Sequence, residues 1–463
     1  MSRPVLVRSA LTLALLFAAN ANAATDADLA QIRDEIRQMK ESYEARIRAL
    51  EQRLQEASTR DAAAAAAQAP VPVATAASTT PTGSPAAGIA AFNPAISAVL
   101  QGSYANLSQD PAKYAIRGFA PSGDVGPGRR GFGLGESELA ISASVDHLFA
   151  GNLIVSLTPE NTVSVEEAYG IVTAAPWGLA PKIGRFFSGL GYLNEQHQHA
   201  WDFIDAPLAY QAFVGGQYAN DGVQVKWIAP TEQFIELGAE AGNGNRFPGT
   251  DRNKNGVGSG AVYAHTGGDI GASHSWRAGL SYLQTRARNR SYAQRDLAGN
   301  DAQVAFSGPS KVAIADFVWK YAPNGNAIET NFKVQGEYFR RRERGDFIYD
   351  IDGALGLTNR SNYSANQSGW YLQGVYQFMP TWRVGARYDR LDPGTVNYGT
   401  NAAYLTAPPF NPERYTLMFD YTPSEFSRVR LQFAQSKTQP GQTDNQLFLQ
   451  YILTLGAHGA HRY

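Results

Sequence analysis

Residues 427–456 read SRVRLQFAQSKTQPGQTDNQLFLQYILTLG. Val429, Leu431 and Phe433 alternate with Arg428, Arg430 and Gln432. Beyond the connection 435–444, Leu447, Leu449, Tyr451, Leu453 and Leu455 alternate with Phe448, Gln450, Ile452 and Thr454. A period of two puts successive side chains on opposite faces of a strand. Here one face is large and apolar while the other carries charge and amide groups. A strand with lipid on one side and a polar lumen on the other has this pattern.

The same alternation recurs upstream. Tyr415, Leu417, Phe419 and Tyr421 alternate with Thr416, Met418 and Asp420, and Trp382, Val384, Ala386 and Tyr388 with Arg383, Gly385, Arg387 and Asp389. Trp370, Leu372, Tyr376 and Phe378 continue it. Aromatics at the ends of apolar faces suit the two interfaces of a bilayer. Short turns fall at 146–151, 175–181, 229–233, 266–275, 322–327, 379–381 and 422–426. Long connections fall at 108–135, 187–221, 241–259, 286–309, 341–367 and 390–411, with short outer ones at 158–161 and 435–444. These connections predict an all-β fold, a 16-stranded antiparallel transmembrane β-barrel over residues 92–463. The least distinct strands are those near 163–172, 179–186 and 260–265. A soluble β-sandwich is the competing reading. The high strand count, the alternation of long and short loops and the charge on the polar faces stand against it.

Composition is consistent with this. The chain has 463 residues, with 40 Lys+Arg against 41 Asp+Glu, 23 Tyr, 22 Phe, 45 Gly and no Cys. The balanced charge gives no footing for nucleic-acid binding. The absence of cysteine excludes disulfides, thiolate metal sites and cysteine nucleophiles. The one long apolar run is at the N-terminus, so a helical membrane bundle is excluded too.

Residues 1–23 read as a signal peptide: Arg3 and Arg8, an apolar stretch from Ala10 to Ala19, then Ala21-Asn22-Ala23 as a cleavage site. Leu29, Ile32, Ile36, Met39, Tyr43, Ile47, Leu50, Leu54 and Ala57 follow at steps of three and four. Such a seam over 24–57 predicts a short N-terminal coiled-coil helix, with Ile32 and Ile36 favouring three strands. A lone amphipathic helix on the barrel or a membrane is the alternative. Residues 58–91, rich in Ala, Pro, Thr and Ser, predict a flexible linker.

Signal, heptads, Ala/Pro linker and barrel, in that order, together with Lys182-Ile183-Gly184-Arg185-Phe186-Phe187-Ser188-Gly189-Leu190-Gly191, resemble the phosphate-selective porin O/P superfamily and the DcaP-like porins. The resemblance implies an outer-membrane trimer embedded in lipid, with its coiled coil in the periplasm, passing small hydrophilic solutes with a preference for anions such as carboxylates or phosphate. It carries over no individual binding residue. No catalytic constellation is present, so no enzyme is expected and no cofactor is implied. An envelope-anchoring barrel whose coiled coil contacts peptidoglycan is the alternative function, followed by a zinc-related outer-membrane receptor.

Selectivity is set by charges lining the constriction. The alternation turns Arg277, Lys333, Arg341, Arg383, Arg387, Arg428 and Arg430 inward on later strands, with Glu337, Asp389 and Asp420. On earlier strands it turns Glu136, Glu138, Glu166, Glu236 and Glu240 inward, with Lys226. The candidate pore-lining set is therefore Arg383, Arg387, Arg428, Arg430, Lys333, Glu138, Glu236 and Glu240, acids on one wall and bases on the other. The four arginines either present bidentate donors to anions or pair with Asp389, Asp420 or Glu413. Glu166 and Glu167 are adjacent, so one of them is expected to point away from the lumen. The connection 187–221 is long and aromatic, and Trp201, Phe203 and Tyr210 mark it as a constriction loop folded inward. His197 and His199, like His458 and His461, are weak candidates for metal; two imidazoles without a third ligand assign no site.

Overall fold

The computed structural model describes residues 94–122, 125–407 and 409–456. The signal peptide, the heptads, the linker, and His458, His461 and Tyr463 lie outside the described residues. From Ala95 on, the chain is strand after strand. The first wall comprises β1 (Ala95–Leu107), β2 (Gly131–Leu134 and Ser137–Ser144), β3 (Phe149–Leu157) and β4 (Val163–Val172). Then come β5 (Leu179–Phe187), β6 (Ala219–Ile228), β7 (Phe234–Gly242) and β8 (Ser259–Ile270). The second wall comprises β9 (His274–Arg295), β10 (Asp301–Tyr321), β11 (Asn331–Tyr349) and β12 (Asn359–Met379). β13 (Trp382–Asn397), β14 (Glu413–Ser424), β15 (Ser427–Gln439) and β16 (Gln442–Gly456) complete it. The two halves of β2 pair in succession with β1 and are one strand interrupted at Gly135 and Glu136. Each strand pairs with its sequence neighbours, and β16 pairs back onto β1 from Ser97↔Gly456 to Leu107↔Gln446. The result is a closed 16-stranded antiparallel barrel. Closure matters because an open edge in hydrocarbon would leave a row of backbone groups unsatisfied.

The sides assigned by alternation agree with the structure in the later strands. Leu431, Phe433, Leu447, Leu449 and Tyr451 are exposed on the outer surface, while Arg428, Arg430, Gln432, Phe448 and Gln450 are buried inside. The three least distinct strands exist, as β4, β5 and β8. Because the outer face of β15 would meet hydrocarbon, Leu431→Arg should cost about 2–4 kcal/mol near mid-span. Denaturant-dependent folding into lipid vesicles measures this, with Gln432→Asn on the opposite face as the control.

Three of the long connections expected from the sequence are in good part strand. Much of 286–309 and 341–367, and the start of 390–411, is strand: β9, β10, β11 and β12 are 22, 21, 19 and 21 residues long. About ten residues suffice to cross a bilayer. The outer halves invert the polarity pattern. Arg286, Arg288, Arg340, Arg342 and Arg344 point outward and are exposed. Ala287, Val304, Phe306, Phe347 and Tyr349 point inward and pack with Tyr363, Tyr398 and Leu405 into an apolar cluster. The strand period persists there without an apolar outer face, so a search for lipid-facing alternation reads it as loop. Above Tyr282 and Tyr338 the outer surface passes from aromatic to cationic within two to four residues.

The adjacent glutamates also differ from expectation, since neither points away from the lumen. Ile154 pairs with Glu167 and Val155 with Val165, so Glu166 is the extra residue of a β-bulge in β4. A bulge lets two consecutive side chains serve one face. Both carboxylates reach the lumen, where each meets the ring of His197.

Candidate functional site in the lumen

The segment 188–218, between β5 and β6, folds into the barrel. It contains a short helix, α1 (Leu208–Val214), every residue of which is buried. Its aromatics explain the inward turn. Tyr210 packs edge-on to Phe339, and Phe213 stacks on Phe339 and meets Phe119 edge-to-face, at centroid distances of 4.9, 5.9 and 5.5 Å. Trp201, Leu208 and Leu193 join the same core. Arg341 donates to the Ala212 carbonyl at 3.0 Å, beside the C-terminal end of α1, where a cation is favoured.

One anchor is a carboxylate from the wall. Glu337 on β11 accepts hydrogen bonds from the Tyr210 hydroxyl at 2.9–3.0 Å and the Tyr371 hydroxyl at 2.6 Å. It also accepts from the backbone N–H groups of Tyr192 and Leu193 at 3.2 and 3.1 Å. Gly191 sits against it with φ +66°, and a Cβ there would lie 2.1 Å from the carboxylate. Only glycine fits that approach.

A second anchor is ionic. Asp205 accepts from Arg387 at 2.9 Å and Gln432 at 2.9 Å, and pairs with Arg414 at 2.5 Å. Arg387 also pairs with Asp389 at 3.0 Å, and Asp389 accepts the Leu208 N–H at 2.8 Å. Phe203 lies over the Arg387 guanidinium at 4.8 Å. Asp202 pairs with Lys333 at 2.5 Å and Arg383 at 3.3 Å. Asp420 pairs with Arg383 and, at 2.8 Å, with Arg430. Arg430 and Arg428 also donate to the Trp201 carbonyl, at 2.8 and 3.4 Å. Burial alone would raise Asp202 and Asp205. The facing cations, Lys333 and Arg383 for one and Arg414 and Arg387 for the other, outweigh it and hold both below the usual carboxylate range.

The inward cations thus divide in two. The side chains of Arg387 and Arg430 are 1% exposed, sealed beneath the loop. Lys333 and Arg383 keep 17% and 20% of theirs in reach of water. Glu413, a candidate partner for the arginines, instead pairs with Lys437 at 3.2 Å. Lys320 is the ladder partner of Lys333. Lys320, Lys333, Arg383, Arg428 and Arg430 therefore gather around two carboxylates, Asp202 and Asp420.

The opposite wall is acidic. Glu240 accepts from the Ser188 hydroxyl at 2.6 Å and the Gly189 N–H at 2.9 Å, fixing the start of the loop. Glu236 meets His265 at 2.9 Å and lies 4.0 Å from Lys226, which pairs with Glu195 at 2.5 Å. Glu138 meets His199 Nδ1 at 2.9 Å. His197 lies among Glu138, Glu166 and Glu167. Burial alone would lower its pKa; the hydrogen bonds to these three raise it well above the ordinary imidazole value. Sequence reasoning missed the loop carboxylates Asp202 and Asp205 and placed Glu337 only as an inward acid. A usable signal was present: two acids three residues apart in the otherwise apolar stretch 200–210 need cations to meet.

No family model matches the chain. A protein of Aquifex aeolicus (strain VF5), described as uncharacterized, is 30% identical over 402 residues, covering 81% of this chain and 80% of that protein. Among solved structures, a loop-L8 deletion mutant of the Vibrio cholerae outer membrane protein OmpT is similar, with a TM-score of 0.49 and 11% identity. It covers 79% of this chain and all (100%) of that one. The outer membrane channel DcaP of Acinetobacter baumannii is similar at TM-score 0.48 and 13% identity, over 79% of this chain and 98% of that one.

Proposed function

The chain belongs to the family of the uncharacterized Aquifex aeolicus protein, and from the geometry of its own wall we propose that it is a passive diffusion channel of the bacterial outer membrane that prefers small hydrophilic anions. An apolar outer band edged by aromatics supports the membrane setting. A lumen lined by charge and narrowed by an inward loop supports a channel. The observation that carries the anion preference is the cationic patch: Lys320, Lys333, Arg383, Arg428 and Arg430 against Asp202 and Asp420, with Lys333 and Arg383 still meeting water. Facing it across the lumen stand Glu236, Glu240 and the glutamates around His197. The charge separation sets up a transverse field that orients dipolar solutes as they pass. In this proposal the heptads of 24–57 gather three chains on the periplasmic side.

Reversal potential across a planar bilayer under a salt gradient tests the proposal. The wild-type channel is expected to be anion-selective. Lys320→Gln with Lys333→Gln should move selectivity toward cations, by about threefold per charge for a unit charge ~6 Å from the ion in water. Cation selectivity in the wild type would overturn the preference, and no channels from folded protein would overturn the reading altogether.

A further inference from the structure

One cluster in the lumen is not accounted for by transport. His197 Nδ1 lies 3.0 Å from Glu166 Oε2 and 3.4 Å from Glu138 Oε2. One ring N–H cannot serve both carboxylates well. These separations are instead close to the edge of a tetrahedron, about 3.3 Å, around an ion held at the usual Zn–N and Zn–O lengths. The donor atoms of Glu138, Glu166 and His197 all lie within 4.8 Å of one another. The other ring nitrogen, Nε2, faces Glu167 Oε2 at 3.2 Å. A histidine that ligates a metal almost always donates its remaining N–H to such a carboxylate, which fixes the tautomer and the ring plane. Glu138 is itself held by His199 at its second oxygen.

Charge points the same way. Glu136 meets Glu166, so four carboxylates crowd against two imidazoles, His197 and His199. Ser156, wholly buried and directly opposite Glu138 on the ladder, adds its hydroxyl beside Glu136. The His197 side chain keeps 16% exposure, which leaves a position open toward the lumen for water or a solute.

We propose that Glu138, Glu166 and His197 form a binding site for a divalent transition-metal ion such as Zn²⁺, with Glu167 as the orienting group. The ion displaces the proton from Nδ1 and neutralises part of the carboxylate excess. Glu138 and Glu166 belong to the wall and His197 to the inward loop. The ion therefore staples the loop to the acidic wall, opposite its ionic anchor on the basic wall. The inference depends on the barrel and is independent of what passes through it.

The test uses the full-length, detergent-solubilised protein, stripped with chelator, with His458 and His461 changed to Gln so that tail imidazoles take no part. Calorimetric titration with ZnCl₂ should give one ion per chain, and Co²⁺ should give the visible spectrum of a low-coordinate N/O site. Glu138→Gln with His197→Gln should abolish stoichiometric binding. Glu167→Gln, which keeps every ligand, should weaken it about 10–100-fold. Heat-modifiable mobility in detergent verifies that each variant is folded. Folded protein that takes up no stoichiometric Zn²⁺, or a double variant that binds as before, would overturn the site. Unchanged affinity in Glu167→Gln would remove Glu167 from it.

Discussion

Asp205→Ala is expected to release the inward loop from the basic wall, giving larger and noisier single-channel currents and early protease cleavage between residues 188 and 218. Among the described residues, Asp205 is the loop carboxylate that pairs with both Arg387 and Arg414. Its loss leaves Asp389 alone to balance both guanidinium groups beneath the loop. Removing one partner of a buried ion pair costs about 3–5 kcal/mol, because the other charge stays buried. Since 1.4 kcal/mol is a factor of ten, the seated-to-released ratio should fall by at least about 100-fold. Asp205→Asn separates charge from shape: it keeps an acceptor for Gln432 and should lie between wild type and alanine. The pH dependence has a definite sign. Asp202 and Asp205 have depressed pKa values in the folded chain. Their contribution is complete above the unfolded carboxylate pKa, near 4, and is lost only as pH falls through the lower folded values. Wild-type currents should stay small through pH 5 and rise only under stronger acid. A rise beginning between pH 6 and 7 would count against this anchor.

How far the sequence could be read follows from which forces leave a periodic trace. Lipid imposes an apolar residue at every second position, and Leu447 to Leu455 or Tyr415 to Tyr421 carry that trace plainly. The even number of strands comes from counting the connections between these stretches, seven short turns on one side and eight loops on the other. Arg286 to Arg295 and Arg340 to Tyr349 are strand for another reason. Both pair with residues 301–313 of β10, which lies between them, and Arg340 to Tyr349 also pairs with Asn359–Ser368, above the hydrocarbon, where nothing requires the outer face to be apolar. Glu166 and Glu167 were unreadable because a bulge shifts the period by one, and no residue type announces it. The loop's inward fold was legible in Trp201, Phe203 and Tyr210, since so aromatic a segment needs a core. What it docks on was not. The meeting of Asp205 with Arg387 and Arg414 spans some 180 to 210 residues of sequence and depends on where the closed wall brings β13 and β14. The arginines were legible as inward charges. That two of them lie sealed under a loop is a fact of packing.

Glu337→Ala should be more damaging than any single change on the ionic side, and its effect should be on the loop rather than on the barrel. Four donors converge on this carboxylate: two phenols, Tyr210 and Tyr371, and the N–H groups of Tyr192 and Leu193. Truncation strands all four in a buried place. At about 1–3 kcal/mol for each unsatisfied group, the loss is about 4 kcal/mol or more, part of which the loop recovers by moving into water. That recovery is the release. Glu337→Gln keeps the volume but turns an amide N–H₂ toward groups that can only donate N–H or already share their hydroxyls. It should therefore behave more like alanine than an isosteric change normally does. Gly191→Ala attacks the same contact from the loop side, pushing a methyl into the carboxylate at a positive φ. Hydrogen exchange distinguishes the outcomes. All three variants should lose protection at 188–218 while β11 and β12 stay protected, because the ladder of these strands does not involve the carboxylate. Loss of protection along β11 itself would mean that Glu337 supports the wall. Unchanged protection in the loop would mean that the aromatic stack of Phe213 on Phe339 and the Asp205 anchor hold it without Glu337.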